Sequence, residues 1–386
     1  MKTIYLDYNA TTPIDPEVLN EMLPYLKKHF GNPSSSHIFG KAAKKGVEKA
    51  RQRVASLLGC EISEVIFTSG GSEANNMALK GVAETLSAKG TSTSLRAGNH
   101  IITSQIEHPA ILNPCRYLER KGFKVAYLPV DQYGMVDPAD VRKAITSKTI
   151  LITIMHANNE VGTIQPIAEI GEIARKHGIL FHTDAAQTIG KIETKVNKLK
   201  VDLLSIAGHK FYAPKGVGAL YIRKGLKLEP LVHGAGHEYG RRAGTENVAS
   251  IVGLGKAAEI AWRDLKEYRE KVFNLREKLY WRILDKIDGV KLNGHPTQRL
   301  PNTLNLSFEG VDSEELLSKL KNVALSTGSA CHAGHKDPSG VLLAMGMDRV
   351  RALGAVRFSL GKYTTKGDIS QAAVAIAKSI LDSRLS

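Results

Sequence analysis

From about residue 50 to residue 225, short apolar runs alternate with stretches whose apolar positions recur at helical spacing. The runs cover residues 65–68, 100–103, 124–128, 150–155, 179–182, 203–207 and 218–222. That alternation predicts a parallel sheet with crossover helices, seven strands in one large α/β domain expected over residues 16–258. Between a helical stretch and the next strand, residues 85–99 are rich in Ser, Thr, Gly and Lys and read as a solvated loop. After Thr245 the pattern becomes one long helix over about 248–287, broken or kinked, with charges on its outer face. Strands at 302–308 and 355–359 follow, and Thr365-Lys-Gly-Asp368 resembles a capping box opening a terminal helix through Leu385. Residues 1–15 and 259–386 are therefore expected to form a smaller α+β domain.

Composition adds exclusions. With 42% hydrophobic and 24% charged residues the chain is an ordinary globular protein. No apolar run approaches the roughly 18 residues of a membrane span, and the N-terminus lacks a signal-peptide core, so a cytoplasmic protein is expected. The charge of +15 raises the question of nucleic acid, but Lys and Arg are interleaved with Glu and Asp along helical segments such as 41–53 and 263–282. Dispersed charge argues against direct nucleic-acid binding, and an acidic protein partner or anionic substrate accounts for the excess equally well. Cys60, Cys115 and Cys331 are odd in number and far apart, which argues against a disulfide framework.

Candidate chemistry gathers at the ends of the apolar runs. SIAGHKFYAPKG places Lys210 after one run, and GILFHTDAAQT ends another in Asp184. A lysine and an aspartate at the ends of two buried strands suit pyridoxal phosphate: the amine forms a Schiff base with the aldehyde, and the carboxylate pairs with the pyridinium nitrogen. Taken singly, each also reads as a solvated strand-end charge. TSGGSEANN, with Gly71 and Ser72 between strand and helix, is either a phosphate cradle of free N–H groups or an ordinary capped turn. HANNEVGTIQP and IEHPA put Asn159 and His108 at strand ends, where ligands of open α/β sheets gather, although a turn and a structural histidine also fit. STGSACHAGHKDPSG surrounds Cys331 with glycines, His332, His335 and Lys336, cations that favour a thiolate. A soft-metal reading of Cys331, His332 and His335 lacks the usual fourth ligand, so no metal is expected.

The pieces occur in one order: LDYNATTP, GNPSSSH, FTSGGSEANN, IEHPA, NNEVGT, HTDAAQTIGK, GHKFYAPKGVGALY, RRAGTEN, TGSACHAG and RFSLGKYTT. From about residue 4 to residue 380 the series resembles the cysteine desulfurases, in the class V aminotransferase family of fold type I pyridoxal-phosphate enzymes. The resemblance implies Lys210 as Schiff-base lysine, Asp184 on the pyridine nitrogen, Gln187 on the phenolic oxygen and His108 stacked on the ring. It further implies Gly71, Ser72 and His209 at the phosphate, joined by Thr245 from a second subunit, and hence a homodimer. Asn159 would contact cofactor and substrate, Arg357 would clamp the substrate carboxylate, and Cys331 would take up sulfur as the nucleophile. The implied reaction converts L-cysteine to L-alanine and leaves a persulfide for a sulfur-acceptor protein such as an iron–sulfur scaffold, or for RNA thiolation. Ala207 departs from the serine that many relatives carry, which removes one phosphate hydrogen bond. The middle of CHAGHKDPSG is somewhat like the loop of selenocysteine lyases, the alternative activity, while a transaminase would leave the cysteine loop without a task.

Overall fold

Short strands of β-branched and aliphatic residues are stable where both faces are covered, and this chain uses them so. The computed structural model describes residues 3–87, 97–327 and 337–385. Strand β1 (Ile4–Tyr5) precedes the strands of a large sheet: β2 (Val65–Thr68), β3 (His100–Ser104), β4 (Lys124–Leu128), β5 (Thr149–Thr153), β6 (Leu180–Asp184), β7 (Leu203–Ala207) and β8 (Gly218–Ile222). Their spatial order is β2-β8-β7-β6-β5-β3-β4. Within this sheet β8 runs against its neighbours β7 and β2, while β3 through β7 pair in parallel, which is the seven-stranded, mainly parallel architecture of fold type I. Only β4 is partly uncovered: it lies at the sheet's edge and begins with exposed Lys124, a residue that discourages edge-to-edge pairing. Successive residues point to opposite faces. Ile66, Ile101, Leu180 and Leu203 enter one core, and Phe67, Ile102, Phe181 and Leu204 the other.

The long helical pattern after Thr245 is two helices, Val248–Arg263 and Leu265–Leu284. They are broken at Asp264, whose φ of −99° and ψ of 4° leave the helical region. Beyond them come β9 (Val290–Asn293), β10 (Thr303–Phe308), β11 (Val323–Ala324) and β12 (Ala355–Ser359). β12, β10 and β9 form an antiparallel sheet, and β11 pairs in parallel with β1. A separate core joins Ile4 and Leu6 to Leu279, Phe308, Phe358 and Ile376, so the first residues of the chain pack with its last third. At the helix Lys366–Leu385 the Thr365 hydroxyl accepts from the Asp368 N–H at 3.1 Å, while Asp368 accepts from the Thr365 N–H at 2.9 Å. That reciprocal cap is the one read from the sequence.

One expectation needs correction. Thr85, Leu86 and Ser87 are not loop but the last turn of helix Gly71–Ser87, held there because Leu86 is buried against the sheet. Residues 88–96 lie outside the described residues, as does the segment 328–336 with Cys331.

Candidate active site

The carboxyl ends of β2, β3, β5, β6 and β7 face one side of the large sheet, where parallel strands present turns and helix starts to a ligand. A cleft of about 460 Å³ opens there, with Asn9, Ala10, Ser326, Val341 and Arg357 also on its wall. Asp184 is the last residue of β6 and Lys210 ends the single turn that follows β7. Gly71 and Ser72 open the helix after β2, and a Cβ on Gly71 would stand 3.1 Å from that of Ala207. The first N–H groups of that helix have no partner within it and so suit an anion.

His108 is placed by its role as N-cap of helix Pro109–Arg120. Its Nδ1 accepts the Ala110 N–H at 3.0 Å, which assigns the ring proton to Nε2. Burial holds the imidazole below its ordinary pKa; nearby Asp184 pulls upward and Lys210 downward. Asp184 is pinned at both oxygens, Oδ2 by the Asn75 amide at 2.7 Å and Oδ1 by the Ala186 N–H at 2.9 Å. Lys210 donates to the carbonyls of Asn9 at 2.7 Å and Ala10 at 2.8 Å. Burial, and after it the Arg357 charge, brings its amine down to about 8, against the opposing pull of Asp184 and Asp7. A lysine so placed has a reactive neutral amine within reach of physiological pH.

Arg357 enters from β12, pairing with Asp7 at 2.8 Å and donating to the Asn159 carbonyl at 3.1 Å; its Nε is buried with no partner. Gln187 donates to the Asn9 carbonyl at 3.0 Å. His209 Nδ1 meets the Thr11 hydroxyl at 3.1 Å, and burial lowers its pKa to about 4. Thus Gly71, Ser72, His108, Asn159, Asp184, Gln187, His209, Lys210 and Arg357 all line one cleft. Thr245 does not: it is exposed on the segment before helix Val248–Arg263. That segment is fastened nearby, where Glu238 accepts from Arg51 at 2.7 and 2.8 Å and from the Phe67 N–H at 2.7 Å, and Arg242 donates to Glu73 at 2.8 Å. Cys331 falls outside the described residues.

Three polar residues of this site, Asn9, Asn75 and Glu107, were not singled out from the sequence, whereas Glu160 is the glutamate that HANNEVGTIQP places at a strand end. Asn9 joins its two sides: its backbone carbonyl takes Lys210 and Gln187, and its side chain bonds Lys191, Asn302, Asn159 and Thr303. Asn75 orients Asp184. Glu107, beside His108, accepts at Oε1 from the Ser104 hydroxyl and the Met155 N–H, and burial raises its carboxyl to about 8. Glu160 accepts from the Ser339 hydroxyl at 2.5 Å, and burial raises it to about 7. Asn9, Asn75 and Glu107 stand in the motifs LDYNATTP, TSGGSEANN and IEHPA, but nothing short of tertiary contact distinguishes them there from turn or helix residues.

The donor set fits pyridoxal phosphate. A braced carboxylate and a lysine of depressed pKa line one cleft, a helix start bare of side chain at Gly71 is available for a phosphate, and Arg357, held by Asp7 and the Asn159 carbonyl, brings a cation to the same wall for a carboxylate. Ala207 lines the same wall without a hydroxyl to add.

Known proteins agree with this picture. The model of the aminotransferase class-V family matches residues 4–372. Cysteine desulfurase IscS of Dictyoglomus turgidum is 52% identical over 371 residues, which is 96% of this chain and 92% of that protein. The IscS of Methanosarcina thermophila is 51% identical over 96% of this chain and 90% of its own. Among solved structures, a NifS-like protein superposes with a TM-score of 0.91 at 42% identity, covering 98% of this chain and 99% of that one. SspA in complex with cysteine does so at 0.83 and 39% identity, over 94% of this chain and 100% of its own.

Proposed function

The chain belongs to the class-V aminotransferase family and is a cysteine desulfurase within it, and from that premise we propose how its own residues do the work. The observation that carries the proposal is the meeting of Lys210, Asp184, His108, Gln187 and Arg357 in one cleft. Lys210, Asp184, Gln187, Gly71, Ser72 and His209 hold pyridoxal phosphate, with Thr245 supplied across a homodimer. Once bound, that group supplies the electron sink for carbanion chemistry at the amino acid's α-carbon.

Arg357 receives the carboxylate of L-cysteine by exchanging its contacts to Asp7 and the Asn159 carbonyl for the substrate's oxygens, and Asn159 borders the same pocket. Lys210, set free as an amine near pKa 8, takes and returns protons at Nζ. His108 offers its Nε2–H to the cleft, since a proton at Nδ1 would break the cap on Ala110. The Cys331 thiolate attacks the substrate sulfur: the carbon–sulfur bond breaks, a sulfur–sulfur bond forms, and the thiol's proton ends on the methyl of alanine. The products balance as L-alanine and a Cys331 persulfide, which passes to an acceptor protein in iron–sulfur assembly or tRNA thiolation. Selenocysteine lyase is not favoured, because the relatives named above are desulfurases.

Residues 16–258 are proposed as the cofactor domain and residues 1–15 with 259–386 as the smaller one, a division supported by a main core in each, with a smaller core of Ile106, Met155 and Val161 against Val341, Leu342 and Met345 joining them. A cytoplasmic location is proposed as well; among the described residues no helix is long and apolar enough to cross a membrane. The test is Lys210→Ala. Protein supplied with pyridoxal phosphate is expected to lose the Schiff-base absorption band and alanine formation together. Unchanged alanine formation would refute the assignment.

A further inference from the structure

Lys191 is buried to 2% exposure and, among the described residues, has no carboxylate partner. Its Nζ donates to the Gln187 Oε1 at 2.9 Å and to the Asn9 Oδ1 at 3.1 Å. A lysine in a dry interior without a counter-charge is unfavourable and is retained where its donors are needed. Gln187 explains the need. A glutamine amide can point either end into a site, and only one orientation leaves its NH2 available as a donor there. Here the oxygen is taken by Lys191, while the nitrogen donates to the Asn9 carbonyl at 3.0 Å and keeps its second hydrogen. The flipped amide would take away the oxygen that accepts from the Lys191 Nζ and set oxygen against oxygen at the Asn9 carbonyl. Asn9 is constrained in the same way: its Oδ1 accepts from Lys191 and from Asn302, and its Nδ2 donates to Asn159 and Thr303.

We propose that Lys191 is a positioning residue that fixes the Gln187 amide with its nitrogen toward the cofactor's phenolic oxygen. The inference rests on the cofactor reading above. It extends that reading to a residue that touches neither substrate nor cofactor. Loss of a donor to the phenolic oxygen makes that oxygen easier to protonate, so the pH midpoint of the bound cofactor's absorption change should rise.

The experiment titrates that absorption band in the loaded wild type, Lys191→Met, Gln187→Met and the double variant, with circular dichroism confirming the fold of each. The expected result is an upward shift of about half to one pH unit in Lys191→Met, the worth of one hydrogen bond. The double variant should titrate no higher than Gln187→Met alone. Lys191→Gln, shorter but still a donor, should fall between wild type and Lys191→Met, and it takes over the test if the Met variant does not fold. A wild-type midpoint in Lys191→Met, or shifts that add fully in the double variant, would overturn the proposal. A wild type that takes up no pyridoxal phosphate would instead overturn the cofactor reading on which it rests.

Discussion

Glu107 gives the sharpest quantitative expectation. Its carboxyl is 3% exposed, Oε1 holds the Ser104 hydroxyl at 2.7 Å and the Met155 N–H at 2.8 Å, and Oε2 is buried without a partner. Burial raises its pKa from 4.5 to about 8, an effect that those two hydrogen bonds oppose and the neighbouring Asp184 reinforces. The folded chain therefore keeps a proton that the unfolded chain has released, so stability falls as pH rises from about 4.5 to about 8 and levels off above. Each pH unit in that window is worth about 1.4 kcal/mol, which gives roughly 3 kcal/mol at pH 7 and roughly 5 kcal/mol above pH 8. Glu107→Gln preserves the acceptor for Ser104 and Met155 and is neutral at every pH. The variant is expected to match wild type near pH 4.5 and to exceed it progressively toward pH 8. Urea unfolding at a fixed protein concentration, followed at pH 5, 6, 7 and 8, reads the difference directly. Curves that stay parallel across that range, or a variant that weakens as pH rises, would refute the reasoning.

Two further predictions concern charges around the cleft. Arg357→Ala removes the cation that, after burial, does most to lower Lys210, and leaves Asp7 to pull the other way. The pH midpoint for pyridoxal-phosphate capture by the apoprotein should rise above about 8, and KM for L-cysteine should rise with it; a fall in that midpoint would contradict the assignment. Glu238→Gln leaves the buried Arg51 guanidinium with only the half-exposed Glu48 at 3.7 Å and should cost about 3 kcal/mol in urea unfolding, because its buried bidentate partner is gone. A loss below about 1 kcal/mol would mean the pair is not holding that segment.

The large sheet was legible because its strands are short, mostly apolar runs: 65–68, 124–128, 203–207 and 218–222 are found with the boundaries read from the sequence. β9 and β1 were not legible. Val290–Asn293 mixes Lys and Asn with its apolar residues, and Ile4–Tyr5 is two residues long, so each is a strand by virtue of its partner rather than its own pattern. The chemistry divides in the same way. Lys210 and Asp184 stand at strand ends that periodicity can locate. Asn9 and Lys191 acquire their roles only when the first residues of the chain are laid across the cleft, a contact that spans 182 residues and leaves no local pattern. Leu86 was misplaced because the polar residues after it outweighed one helical turn whose support is the sheet beneath.

The central claim is tested most directly by release of alanine and of sulfide or selenide from L-cysteine and L-selenocysteine, side by side, for wild type and Cys331→Ala, both loaded with pyridoxal phosphate. Release from cysteine that disappears in Cys331→Ala while the cofactor stays bound is the predicted result; activity confined to selenocysteine, or indifferent to the substitution, would contradict it.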